Sequence, residues 1–194
     1  FVSRSVWEGN GSESRPLHRR KVYGGLDLSS VSDLTALVLV GEEEGEWDVE
    51  PTFWLPEQGL ADKARQDRVA YDVWHKQGFL QATPGASISY DFVAQHLRGV
   101  FNRYDVQRLA FDRYNMKFLT PCLVRAGFTP EELERFEPFG QGMVSMSPAL
   151  RELETMLLRG ELRHGNHPVL TMCAGNAVLE TDAAENRKFT KKKA

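Results

Sequence analysis

The segment Leu34 to Val40 (LTALVLV) is apolar on both sides of a period-two repeat, with Leu34, Ala36, Val38 and Val40 on one face and Leu37 and Leu39 on the other. A strand written this way is central in its sheet and covered on both faces. It has strand-like neighbours on short connections. Val22 to Leu28 precedes it across a Ser/Asp turn, and Glu46 to Leu55 follows after a Glu/Gly loop. Three consecutive strands joined this closely favour an antiparallel meander.

Beyond Pro56 the periodicity turns helical. It runs through Gln58 to Gln77 and again from Ser89 to Tyr104, where Val93, Leu97, Val100, Phe101 and Tyr104 share a face. Val106 to Asp112 reads as a strand, and Met116 to Ala126 as a helix closed by Gly127. Ser147-Pro148 is a helix entry, with Ser as N-cap and Pro at the first position. That helix carries Leu150, Leu153, Leu157 and Leu158 and stops at Gly160. His167 to Val178 is expected as a last helix, leading into a polar hairpin around Ala183 to Asn186. The sum is a mixed α/β sheet with helices on its faces.

A chain of 194 residues supports one well-buried domain. No apolar run has the length of a membrane span and no signal pattern opens the chain, so a cytoplasmic or nucleoid-associated protein is expected. The first residue is Phe1 rather than Met, which reads as part of something larger. Cys122 and Cys173 lie too far apart for a zinc spacing or a disulfide framework and are expected as reduced, packed thiols. The net charge of -3 does not announce a nucleic-acid binder, but its distribution is uneven. Acids gather at Glu42 to Glu46 and Glu131 to Glu137, and bases at His18 to Lys21, Arg187, Lys188 and Lys191 to Lys193. Carboxylates flanked by cations suit a metal-dependent enzyme acting on a polyanion, although any single run reads more readily as solvated surface.

Asp27 stands inside the apolar first strand beside a Gly/Ser-rich turn, and a desolvated carboxylate there calls for a counter-charge. Metal ligation fits it best; the alternative is hydrogen bonding to backbone amides of the Ser29 to Asp33 turn. Asp33 is a turn residue, at most a group behind the ligands. Asp112 ends a strand and opens a helix, where a bare N-cap is the competing role. Two acids on neighbouring strands can hold Mg²⁺ or Mn²⁺, and a pair of such ions can drive in-line phosphodiester cleavage. Asp182 is a candidate third ligand, explained equally well by its polar hairpin. Arg113 and Lys117, one helical turn apart, together with Arg187 and Lys188, are candidates for DNA phosphate contacts. His164 and His167 straddle a Gly-Asn turn and read as structural or substrate-contacting rather than as a metal pair.

The succession VYGGLDLSSVSDLTALVLV, LAFDRYN, PFGQGMVSMSPALRELETMLLRGELRHGNHPVL and NAVLETDAAENRKFTKKK resembles the C-terminal nuclease domain of the terminase large subunit of tailed bacteriophages, in the HK97-like group. The likeness spans Lys21 to Lys193 and rests on four motifs in order. It implies an RNase H-like fold whose metal-bound acids cut concatemeric viral double-stranded DNA during genome packaging in the host cytoplasm. It also implies a packaging motor that includes the terminase small subunit and the portal protein. By motif, Asp27 and Asp112 take the first two acidic positions. Residues 1–20, with WEGNGS near Trp7, resemble the connector from a packaging ATPase, whose GxxxxGK[ST] loop does not occur here. Residues 21–194 are expected to be the nuclease domain without its final helix, since the family's third aspartate follows the basic run. Asp182 or a further segment would have to supply that acid. Two other classes compete: a sugar-kinase or actin-like phosphotransferase, from the Gly-Asp-Ser turn, and a non-catalytic DNA- or portal-docking module.

Overall fold

The computed structural model describes residues 1–29 and 31–190. Strands β1 (Lys21–Asp27), β2 (Thr35–Glu43) and β3 (Glu46–Pro56) form the expected antiparallel meander. The β2–β3 turn places Glu44 and Gly45 at φ 56° and 82°, the left-handed pair of a type I′ hairpin, and the Glu42 carboxylate accepts the Gly45 N–H. The other edge of β1 takes β5 (Asp105–Phe111) in parallel, followed by β6 (Phe136–Pro138). Short parallel strands β4 (Gln81–Thr83) and β7 (Leu162–Arg163) both pair β3, giving the order β4-β3-β2-β1-β5-β6 with β7 beside β4 on the same edge of β3. These pieces of two or three residues are too short to leave a pattern in the sequence.

Helices cover both faces. Leu37 and Leu39 of β2 join Val22, Leu26 and Leu109 under α4 (Tyr90–Arg103) and α5 (Arg113–Arg125) in the largest core. Val38 and Val40, on the reverse side, pack with Leu153 and Leu157 of α7 (Met143–Arg159) and with Trp7 of α1 (Arg4–Gly9). Ala36 and Phe53 meet α2 (Leu60–Asp67), α3 (Tyr71–Lys76) and α8 (Pro168–Asn176) in a third cluster. The two-faced apolar pattern of β2 thus has the double cover it demands. A Cβ at Gly24 would lie 2.9 Å from Leu39 Cδ2, so the buried Leu39 side chain would have to shift to admit one.

Several boundaries differ from expectation for identifiable reasons. The Gln58 to Gln77 stretch is split between α2 and α3, because Arg68 adopts a left-handed conformation at φ 55°. Helix α7 begins at Met143 under a Gly142 cap, so Pro148 sits inside it and Ser147 is buried rather than capping. A proline in the second turn forfeits only its bond to the Val144 carbonyl, and Val144 is solvent-exposed. The expected connector is also more structured than its composition implied. Residues 4–9 form α1, Leu17 is fully buried, and Asn10 bridges Val6, Leu157 and Leu162. A six-residue helix is too short for periodicity to reveal.

The short helix α6 (Pro130–Leu133) is bound to α4 through Arg98, whose guanidinium meets both oxygens of Glu132 at 2.6 and 2.7 Å. That bidentate pair, together with the Thr129 N–H of a capping box, holds the Glu132 carboxyl down to about 2 from an ordinary 4.5. A depressed carboxyl stabilises the fold above its unfolded value and ceases to as pH falls through the folded one. Thermal midpoints measured from pH about 4.5 down to about 2 should therefore fall less steeply in Glu132→Gln than in the parent. Parallel curves for the two proteins would show that the pair contributes nothing.

Candidate metal centre and its surroundings

Strands β1 and β5 run in parallel, slip by one residue between Val22 and Tyr23, and hold register from Tyr23 to their ends, where Leu26 pairs with Phe111. Both of these residues face the core under α4 and α5. By strand alternation the next residue on each, Asp27 and Asp112, leaves the sheet on the opposite face. Asp27, the last residue of β1, and Asp112, the residue after β5, thus stand at the carboxyl ends of adjacent parallel strands, where open α/β sheets carry their sites.

The face they occupy is uncovered at this place. Among the described residues, no side chain of β1 or β5 takes part in the two apolar clusters that α1, α2, α3, α7 and α8 make over β2 and β3. Tyr23, Gly25 and Asp27 are all exposed, so the strip is a shallow, solvent-open floor. This corrects the expectation of a desolvated Asp27. The strand ends at that residue, which is exposed.

Asp112 is also the N-cap of α5, its Oδ1 accepting the Tyr114 N–H at 3.3 Å. Ligand and cap are not exclusive, since the cap engages one carboxylate oxygen and leaves Oδ2 outside it. The competing capping reading of Asp27 runs through a turn that includes Ser30, which lies outside the described residues. Asp33 is exposed in that turn.

The other candidate residues fare differently. Asp182 sits in the turn between β8 (Val178–Thr181) and β9 (Arg187–Thr190), where its oxygens accept from Ala184 N, Asn186 N and Asn186 Nδ2. Those bonds, the Asn186 amide first, hold its carboxyl below the usual range. Among the described residues no three His, Cys, Asp or Glu side chains gather into a metal-holding group, so Asp182 does not complete the Asp27–Asp112 pair. Its physical explanation is the turn. Arg187 is bound to Glu154 of α7 at 2.6 Å, and Lys188 lies 3.9 Å from Glu180 across the hairpin. Arg187 thus fastens the hairpin to α7, and Lys188 spans its two strands. Arg113 and Lys117 are exposed on α5 beside Asp112, with the Lys117 ammonium over the Phe118 ring. The basic run Lys191 to Lys193 lies outside the described residues.

His164 and His167 are structural. His164 is buried, stacked on Trp7 at 4.0 Å, with Nε2 against the Trp7 carbonyl and Nδ1 accepting the Asn166 N–H. His167 caps α8 through Nδ1 and packs on Phe53 and Phe79. Burial lowers the pKa of each, which keeps the acceptor nitrogens available. Cys122 and Cys173 are free thiols whose pKa burial raises.

The buried carboxylate that does need a counter-charge is Asp48 on β3, with no exposed surface. It accepts from Arg15 N and Nε at 2.7 and 2.9 Å and from Arg20 Nη1 at 2.7 Å. Arg20 also donates to the Pro16 and Gly41 carbonyls. In EWDVEPTFW it reads as one polar residue in an alternating strand, and only the fold brings the two arginines to it.

The fold has known counterparts. The terminase large subunit of Enterobacteria phage HK97 is 46% identical over 196 residues, covering all of this chain, and this chain spans 38% of that subunit's length. The crystal structure of the HK97 large terminase superposes over the whole chain with a TM-score of 0.91 and 45% identity, this chain covering 40% of it. The magnesium-bound large terminase nuclease of thermophilic phage G20c aligns over 92% of this chain and 74% of its own length, with a TM-score of 0.53 at 10% identity, a likeness of fold. The expected RNase H-like architecture is therefore the observed one. The profile of the family described as terminase large subunit, endonuclease domain, matches residues 1–194, and the chain belongs to that family.

Proposed function

We propose that the chain is a metal-dependent endodeoxyribonuclease that cuts concatemeric double-stranded DNA during phage genome packaging, with little sequence preference. The observation that carries this reading is the pair Asp27 and Asp112 on one open face of adjacent parallel strands. Family membership points the same way, and the G20c relative is a nuclease that holds magnesium.

The donor set fits a hard divalent ion. Mg²⁺ is commonly held by one or two carboxylates with water filling its remaining positions, and the solvent-open floor leaves room for that water. The buried Ser29 hydroxyl, two residues beyond Asp27, has no hydrogen-bond partner among the described residues, as expected where a polar atom is completed by water or an ion. Asp27 and Asp112 would hold Mg²⁺ or Mn²⁺, which when bound activates water and offsets charge on the scissile phosphate. Two carboxylates suffice for one ion, and the two-ion arrangement needs a further acid that no described residue supplies.

The residues around the pair would position the polymer. Arg113 and Lys117 stand one turn apart on the helix that Asp112 caps, where they would meet phosphates on either side of the scissile bond. Neutralised phosphates release counterions, so the slope of log affinity against log salt should be shallower by about two in Arg113→Ala/Lys117→Ala than in the parent. An unchanged slope would remove both residues from the interface. Arg187 and Lys188, committed to Glu154 and Glu180, would contribute only if those pairs yield to DNA.

The work would take place in the host cytoplasm, with the terminase small subunit and the portal protein as partners of the whole motor. No helix among the described residues is long and apolar enough to cross a membrane. The family match over the whole chain leaves the sugar-kinase or actin-like reading without support. The docking-module reading is separated by one assay. Purified protein incubated with supercoiled plasmid and Mn²⁺ should yield nicked and linear DNA. Binding without any cut product at saturating metal would favour docking and overturn the nuclease.

A further inference from the structure

Strand pairing stops at Asp27, so the carbonyls of Leu28 and Ser29 need other partners, and each receives one from a side chain. Asn115, buried on α5 three residues beyond Asp112, donates from Nδ2 to the Leu28 carbonyl at 2.8 Å. Tyr90, the first residue of α4, donates its hydroxyl to the Ser29 carbonyl at 2.7 Å. The Ser29 N–H in turn donates to the buried Thr35 hydroxyl at 3.0 Å.

Asn115 stands out because it spans the gap between the two acids. Its backbone belongs to the helix that begins at Asp112, and its amide holds the residue that directly follows Asp27. A single hydrogen bond thereby links the positions of both carboxylates through the protein interior. The residue type suits the role: a neutral amide donates to a carbonyl, whereas an ionised carboxylate of the same shape cannot. Mg²⁺ tolerates little deviation from ideal ligand placement.

We infer that Asn115 is a positioning residue for the metal-binding pair, setting the separation of Asp27 and Asp112. Tyr90 reinforces it by fixing the next carbonyl. The inference rests on the nuclease reading, and it predicts an effect on metal affinity beyond any effect on stability. Groups that orient metal ligands are worth about 10–100-fold in affinity.

The test is direct Mn²⁺ binding to the whole chain, read from the free-ion paramagnetic resonance signal without DNA, beside thermal midpoints. Asn115→Ala should weaken Mn²⁺ binding by about tenfold or more, and Tyr90→Phe should weaken it less. Asn10→Ala removes a buried amide that holds the Val6 and Leu157 carbonyls. It should lower the thermal midpoint and leave Mn²⁺ affinity unchanged. Folded Asn115→Ala binding Mn²⁺ as the parent does would overturn the inference, as would equal weakening by Asn10→Ala. If Asn115→Ala does not fold, Tyr90→Phe decides, and parental affinity there overturns the role. A parent protein that takes up no Mn²⁺ would instead remove the nuclease reading on which the inference stands.

Discussion

Asp27→Asn and Asp112→Asn should each reduce Mn²⁺-dependent plasmid cleavage by more than about 100-fold, because direct ligands matter at least as much as the groups that orient them. Both proteins should remain folded. Asp27 is exposed at the end of β1, where substitutions usually change stability by less than about 0.5 kcal/mol. Asp112 caps α5, and asparagine caps about as well as aspartate, so the helix keeps its first-turn acceptor. Asp112→Ala separates the two roles of the residue. It should lose cleavage like the asparagine variant and, in addition, about 1 kcal/mol of stability. Gel-resolved cleavage rates and urea titrations decide the matter. Cleavage at the parental rate by either asparagine variant would sink the assignment of the pair.

The largest stability effect is expected far from those acids. Asp48→Asn leaves the Arg20 guanidinium buried without its counter-charge, and breaking a buried pair in this way costs about 3–5 kcal/mol. Arg15 is also released, and with it the segment that carries the N-terminal residues onto β3. Burial by itself would raise the Asp48 carboxyl, but the Arg15 N–H and the two guanidiniums outweigh it, and the net shift is downward. The carboxylate therefore stabilises the fold above its unfolded pKa and stops doing so as pH falls through its lower folded value. The parent should lose stability over that acid range, and Asp48→Asn should begin lower and lose less. Urea midpoints at neutral and acid pH measure both effects. A loss below about 1 kcal/mol at neutral pH would place the three groups in better contact with water than their burial implies.

Asp48 and Asp27 exchange the environments that their local sequences imply. A carboxylate among Gly, Leu and Ser residues of an apolar strand reads as desolvated, yet Asp27 lies at the end of β1 and is exposed. Asp48, flanked by Trp47 and Val49 in a half-polar strand, reads as an outward group. It is the one enclosed, because residues 10–20 fold back across β3. Burial is a property of what covers a strand, and the cover comes from remote segments. The same holds for Asp182, whose acidic neighbourhood suits a ligand until the hairpin turn claims its oxygens. Pro148 illustrates the converse, a strong local signal for a helix start overridden by a helix already under way.

What the sequence determined by itself was the meander, the double-sided cover of β2, the helices α4 and α5, the terminal hairpin, and the identity of Asp27 and Asp112 as the acids to watch. Those features depend on period and on nearest neighbours, which are written along the chain. Tertiary structure alone decided that β5 docks beside β1 in a register ending at Leu26 and Phe111, so that the acids 85 positions apart leave on one face. It also decided which carboxylate is buried, and that Asn115 reaches across to Leu28. Each of these is a contact between residues distant in the chain, chosen by how layers pack rather than by any local preference.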